Sequence, residues 1–367
     1  MMDKDSLIMM KKISSPLFNV ILLLYSCLAM VIFYHYGLPS LKGEIPQQLY
    51  SDSVTYELAA NLGLEESAIE IGGNYFGPLL IINIFSGNRL VIHLFNLLIV
   101  LITLNIASRN LELNKSLLTT FILSSPLLFF STLAINKEIF LLPYTVLLAI
   151  YLNRRTTLVF IGVLFFGFIV RWQLAIFSVL VWFLTSRLNP IADKRKTTLF
   201  WFVSVVSICY PFISSELFNA IEAISIEGAQ DELGSNASGA YATMQEIQRS
   251  FGYILVFIPK TFQLLVGPIT RFDINLIQLD FWNNFIMMLQ YAHNIILIAF
   301  VAMKKKFNIK NNYLFLMVIY SMFFALSPVF NMRYMFPIIF WAALWISSDD
   351  LKETLQSNIL STSKKIQ

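Results

Sequence analysis

Four of the polar stretches that break this largely apolar chain of 367 residues each carry a side chain able to do chemistry. Asp52 stands in residues 49–62, the first polar segment after the first long apolar run. Asn136-Lys137-Glu138, Arg171 and Asn331-Met332-Arg333-Tyr334 each fall between two apolar runs. Arginine binds phosphate oxygens in a bidentate fork, and lysine meets them as a point charge. A carboxylate beside such cations can take the proton of a sugar hydroxyl. A phosphate leaving group needs little protonation, so the second carboxylate of ordinary glycoside hydrolysis is dispensable. One acid, a few cations and a lipid-accessible groove are therefore the parts for attack on a sugar carried by a lipid phosphate. Asp52 is the first candidate base and Glu138 the second. Lys137, Arg171 and Arg333 are candidate phosphate ligands, joined by Lys260 and Arg271 from a later polar loop.

Each of these residues also has an ordinary explanation. Asp52 or Ser51 can cap a helix in which Val54, Leu58 and Leu62 share one face. Arg171 and Arg333 can snorkel to headgroup phosphates, and Lys137 and Glu138 can simply end two helices. The set weighs more than its members. A charge near the centre of a membrane helix costs about 2.5–3.5 kcal/mol, and less toward its ends. Several charges at one membrane mouth are therefore expected to serve a purpose.

Composition sets the solvent. The chain is 57% hydrophobic and 13% charged, with mean hydropathy +0.69; a soluble domain carries roughly a quarter charged residues. It reads as an integral membrane protein. The formal charge of +4 does not point to nucleic acid, because the basic residues lie between apolar runs and not on one soluble face. Cys27 and Cys209 fall inside apolar runs and argue for neither a disulfide nor a zinc site. His35, His93 and His293 show no metal-ligand spacing, and neither metal nor cofactor is expected. Lys11-Lys12 and the apolar run behind it imitate a signal peptide. No small-residue cleavage site follows, so the run reads as an uncleaved first span.

The elements that must position these residues follow from the apolar runs. The expected fold is all-α, a polytopic membrane bundle of about ten transmembrane helices forming one integral membrane domain over residues 1–367. The spans fall near 17–36, 89–107, 116–134, 139–152, 157–170, 172–186, 198–213, 281–303, 312–328 and 335–347. Loop 37–74 holds Asp52 and an interfacial helix, and residues 75–85 are apolar but too short to cross. Loop 214–280 is expected to carry surface helices at 216–226 and 241–258, with breaks at Pro259 and Gly267-Pro268. Of the 26 lysines and arginines, only Lys42, Arg89, Lys137, Arg171, Arg249, Lys260, Arg271 and Arg333 share the side of Asp52. The richer side is cytoplasmic by the positive-inside rule. Both termini then lie inside, and the candidate residues face outward.

The same stretches resemble the multi-span GT-C glycosyltransferases and the Wzy-type polymerases of bacterial O-antigen and exopolysaccharide assembly. Residues 52–62 are similar to an Asp-x-x-x-Tyr…Ala-x-Asn-Leu opening of the first external loop. Asn83 to Asn96 follow the apolar run Gly77-Pro78-Leu79-Leu80. Ser124-Ser125-Pro126 with Asn136-Lys137-Glu138 resembles a Pro…Lys-Glu turn. Asn331, Arg333, Tyr334 and Pro337 resemble a terminal Asn…Arg-Tyr…Pro element. The resemblance implies a glycosyltransferase of the bacterial inner membrane with Asp52 as catalytic base. Its donor would be a polyprenyl-linked sugar or oligosaccharide, and its partners membrane lipids and other polysaccharide-assembly proteins. Many GT-C enzymes carry paired acidic residues or a large C-terminal external domain. The Asp52 stretch offers one Asp and no such domain is expected here, which leaves metal dependence unsupported and transferase against polymerase open. A transporter or flippase of lipid-linked oligosaccharide and a non-catalytic assembly protein are the alternatives; the first would place its polar residues near the midplane on broken helices.

The orientation gives a direct test. A reporter fused after Ser186 or Lys306 is expected to read cytoplasmic, and one inserted at Gly234 external. The opposite pattern at any of these sites reverses the orientation.

Overall fold

The computed structural model describes residues 4–35, 51–61, 63, 76–111, 113–228, 247–248, 253–267, 281–305, 307–326 and 332–348. They form helices α1 (Lys4–His35), α2 (Ser51–Asn61), α3 (Phe76–Ile84), α4 (Arg89–Asn110), α5 (Lys115–Leu123) and α6 (Pro126–Leu133). A 3-10 turn at Lys137–Phe140 leads into α7 (Leu141–Arg154), α8 (Thr157–Val170), α9 (Trp172–Thr185) and α10 (Arg195–Gly228). Then come α11 (Tyr253–Val266), α12 (Phe281–Lys304), α13 (Asn312–Phe324), a second 3-10 turn at Met332–Met335, and α14 (Phe336–Ser347). No strand occurs among the described residues; the β-pairing there is an isolated bridge from Leu113 to Ser348.

Helix α14 is the centre of the bundle. All twelve of its residues are buried, Trp341 and Trp345 among them. A helix that is apolar all round needs protein on every side, and α5, α7, α12 and α13 supply it. Pro337 opens the helix where its missing N–H is harmless. The Trp341 indole N–H donates to the Thr145 carbonyl of α7 at 3.0 Å. Phe177 of α9 and Tyr320 of α13 close around the same ring, with centroids 6.3 and 5.3 Å away. Helix α4 is instead two-faced. Ile92, Asn96, Val100 and Thr103 face inward, while Val91, Leu94, Leu98 and Ile102 are exposed at helical spacing, as expected of a face that meets lipid.

Among the described residues each expected span falls on helix, the third on two, but length separates them. Leu17–His35, Arg89–Asn110 and Phe285–Lys304 are long and apolar enough to cross a membrane, and the bent pair α5–α6 makes a fourth if counted as one span. The described residues are thus all-helical in architecture, with three helices, or four with the bent pair, that could span a membrane. Helices of the length of Thr157–Val170, Trp172–Thr185 and Asn312–Phe324 reach about 20 Å at 1.5 Å per residue, short of the ~30 Å hydrocarbon core.

Three expectations are corrected. The third span, 116–134, is not one helix: α5 and α6 meet at 72°. Pro126 removes a backbone N–H and forces Ser125 out of the helical region. The Gln290 side-chain oxygen takes up both the Ser125 hydroxyl and the Leu127 N–H, each at 2.9 Å. The surface helix expected at 216–226 is the continuation of the 34-residue α10, because no Gly or Pro interrupts residues 212–227. Pro259 lies within α11 and does not end it. The break falls at Gly267, whose φ of +64° is a left-handed cap that disfavours a side chain.

Close packing of α3 on α8 gives a stability test. A Cβ on Gly77 would stand against the Ile169 carbonyl oxygen, a backbone atom that cannot rotate aside. Gly77→Ala is expected to cost about 1–3 kcal/mol, read as a fall in the unfolding midpoint of the detergent-purified protein. Gly162→Ala meets only the flexible end of Leu147 at 3.3 Å and is expected to change it little.

Candidate functional site

The stretch from Thr132 to Glu138 leaves α6 without a helical continuation, so its carbonyls need other donors. In an apolar bundle water cannot supply them. Side chains from α4 and α2 do. His93 Nδ1 donates to the Thr132 carbonyl at 2.7 Å, and Asn96 donates to the Ala134 carbonyl at 3.0 Å. The Ser53 hydroxyl donates to the Ile135 carbonyl at 2.9 Å. Asn136 then caps the 3-10 turn, its side-chain oxygen accepting the Glu138 N–H at 3.1 Å. Phe33 of α1 lies flat on the His93 ring, with centroids 4.4 Å apart, and holds it in place. These bonds fix Lys137 and Glu138 in space.

Glu138 is fully buried. One carboxylate oxygen accepts from the Arg171 guanidinium at 3.2 Å, and the other has no hydrogen-bond partner among the described residues. Arg171 is the single extended residue between α8 and α9 and is itself only 7% exposed. Its guanidinium lies 4.0 Å from the centroid of the Tyr334 ring, a cation–π contact. The Tyr320 hydroxyl donates to the Tyr334 carbonyl at 2.7 Å and ties the second 3-10 turn to α13. Tyr56 and Tyr320 also lie close enough to act electrostatically on the guanidinium. The Lys137 ammonium stands 6.0 Å from the Tyr56 ring centroid. Behind Arg171, the Tyr144 hydroxyl bonds to Ser178 at 3.0 Å and closes the α7–α9 contact.

The structure therefore brings Lys137, Glu138 and Arg171 together, with the Met332–Met335 turn that carries half-buried Arg333 alongside. Asp52 lies in the first turn of α2, the helix that docks here through Ser53 and Tyr56. Its side chain is outside the described residues, as is Arg271 altogether. Lys260 belongs to a neighbouring cluster. Its buried ammonium donates to Gln248 at 3.2 Å and to the Ala325 carbonyl at 3.5 Å, at the end of α13. Helix α11, which carries it, is not among the helices long enough to cross a membrane. Burial pulls the Lys260 ammonium down to about 7.

Sequence reasoning missed the tyrosines and two of the clamps. Tyr56 stands four residues after Asp52, on the same side of a helix, and that spacing was a usable signal. Tyr334 sits beside Arg333 in the quoted motif. No sequence signal marked Glu57 and Arg89, which pair through two hydrogen bonds of 2.6 and 2.5 Å and join α2 to α4. None marked His93 and Asn96 as clamps of residues 132–135 either. Among the described residues, no three His, Cys, Asp or Glu side chains converge to hold a metal ion.

No protein-family model, curated protein or solved structure matches this chain.

The buried pair makes its own prediction. Arg171→Met leaves the Glu138 charge without its cation and is expected to cost about 3–5 kcal/mol. Adding Glu138→Leu removes the stranded carboxylate and should recover most of that loss, because an apolar pair often replaces a buried ion pair at little cost. Thermal unfolding of both single variants and the double variant measures the coupling. Additive losses would mean that the two groups do not depend on each other.

Proposed function

We propose that this chain is a membrane glycosyltransferase of bacterial surface-polysaccharide assembly, working at the external face of the cytoplasmic membrane. The observation that carries the reading is the buried Glu138–Arg171 pair under the Tyr334 ring, flanked by Lys137 and by the helix of Asp52. Such a group of cations and aromatic rings suits a sugar attached to a polyprenyl phosphate or pyrophosphate. In this reading an acceptor hydroxyl attacks the anomeric carbon of the donor sugar. Asp52 takes the hydroxyl proton, and the bond from the sugar to the phosphate oxygen breaks. The departing phosphate carries away the electron pair, and its charge is met by Lys137, Arg333 and Arg171. Arg171 offers one N–H to Glu138, which leaves others for phosphate oxygens. Glu138 holds the guanidinium in place, and its second oxygen makes it the alternative base. Arg271 is a further phosphate ligand, and Lys260 secures the end of α13. GT-C-type transferase and Wzy-type polymerase are the two forms of this activity.

One observation favours a second reading. The broken α5–α6 pair carries Ser125 at its break, met by Gln290, while His293 from the same helix bonds to the Phe121 carbonyl of α5 and Asn294 accepts from Gln290 and donates to the Leu265 carbonyl of α11. A polar cluster at a broken apolar helix is also the form of a transporter site, here for flipping a lipid-linked oligosaccharide.

Asp52→Asn separates a catalytic role of Asp52 from a capping one. Asparagine keeps the size and can still cap α2, so a capping residue predicts near-normal activity. As general base, Asp52 predicts a loss of transfer of about 10²–10⁴-fold with the protein still inserted. The readout is polysaccharide length and amount normalised to membrane expression, followed by transfer assays with purified lipid-linked donor. Full-length polymer from Asp52→Asn moves the base assignment to Glu138. Translocation of a lipid-linked saccharide in proteoliposomes, with no transfer by the unaltered protein, supports the flippase.

A further inference from the structure

At the far end of α4 from Arg89, a groove of about 530 Å³ opens between α1 and α4 and is closed on one side by Lys115 of α5. Its residues are ordered along the helices. Leu101, Asn105 and Arg109 follow one another at four-residue intervals on α4, and Asn19 and Leu23 do the same on α1. One end of the groove is therefore mainly apolar, with Leu23 and Leu101 beside Ser26, whose hydroxyl donates to the Leu22 carbonyl at 2.9 Å, and the other holds two amides and two cations. The Lys115 ammonium lies 5.6 Å from the Phe18 ring centroid, which sets it at the groove wall. Neither Arg109 nor Lys115 forms an ion pair among the described residues. Beyond the groove, Leu24 and Leu28 of α1 are more than half exposed, so its apolar end runs into a lipid-facing surface.

We propose that this groove binds one anionic phospholipid. The headgroup phosphate lies between Arg109 and Lys115, the Asn19 and Asn105 amides bond its remaining oxygens, and an acyl chain runs along Leu23 and Leu101. A guanidinium, an ammonium and two amides together match a phosphodiester with ester carbonyls below it. A free phosphate would meet the same cations but would leave the apolar length of the groove empty. Ordinary snorkelling to bulk headgroups requires no amides and no groove. The site stands apart from the Glu138–Arg171 turn and does not rest on the glycosyltransferase reading. Its consequence is structural: α1 packs on α5 and α6, and the lipid would join it to α4.

The test uses the full chain purified in mild detergent, with phosphatidylglycerol and phosphatidylcholine of identical chains added in equal amounts. Retained lipid is counted by native mass spectrometry. Phosphatidylglycerol is expected to be retained about tenfold or more over phosphatidylcholine. Arg109→Ala with Lys115→Ala should bring the two lipids to parity, and Arg109→Lys with Lys115→Arg should keep the preference. Leu23→Trp leaves both cations in place but fills the apolar end, and should lower retention of either lipid. This variant decides the matter if the alanine pair fails to fold. An unchanged preference in the alanine pair, or unchanged retention in Leu23→Trp, overturns the site. Displacement of the lipid by millimolar inorganic phosphate overturns it too, in favour of a free-anion site.

Discussion

The Arg171 guanidinium, held between the Glu138 carboxylate and the face of Tyr334, sets the terms for one whole end of the bundle. A charge this deeply buried needs its partner in place, because removing either group leaves an uncompensated ion. Glu138 can be in place only if the irregular stretch before it is rigid. That stretch is rigid because His93, Asn96 and Ser53 occupy its carbonyls. Tyr334 likewise depends on Tyr320, which depends on the aromatic packing around Trp341. The pair thus draws on α2, α4, α8, α9 and α13 and on both 3-10 turns. Buried pairs rarely repay their desolvation as stability alone. That asymmetry is the physical basis of the role proposed for this one.

The two ends of the bundle are built differently. Among the described residues the acid–base pairs, Glu57–Arg89 and Glu138–Arg171, both lie at the end where α2 docks. At the other end arginine meets carbonyls and amides: Arg195 donates to the Lys310 carbonyl at 2.7 Å, and Asn312 to Asn153 at 2.7 Å. Surplus cations such as Arg109 and Lys115 remain there. An end that neutralises its charges internally can present a selected few to a substrate. An end that leaves cations free attracts anionic lipid. Between the two, α14 makes no polar contact with solvent and acts as the rigid wall against which both are built.

Sequence alone determined the solvent and the sites of interruption. Apolar runs placed α4, α8, α9 and α12 to within a few residues, and a cap before Val54 and Leu58 placed α2, because hydrophobicity and punctuation by Asn, Gly, Pro and capping residues are local properties. It also singled out Lys137, Glu138, Arg171 and Arg333, since a charge between two apolar runs is conspicuous in a membrane protein. Other features were illegible because they are relations between distant residues. Gln290 answers Ser125 across 165 positions, and Ser53 answers Ile135 across 82. The bend of the α5–α6 pair was signalled by Pro126, but its 72° angle depends on the Gln290 side chain that makes the bend tolerable. Tertiary structure alone decided that Glu138 faces Arg171 and not lipid, that Lys260 turns toward Gln248 and the end of α13, and that the short helix α14 is the core. The physical reason is common to all three. In an apolar medium a polar group goes where a partner is, and the positions of partners are set only when the helices pack.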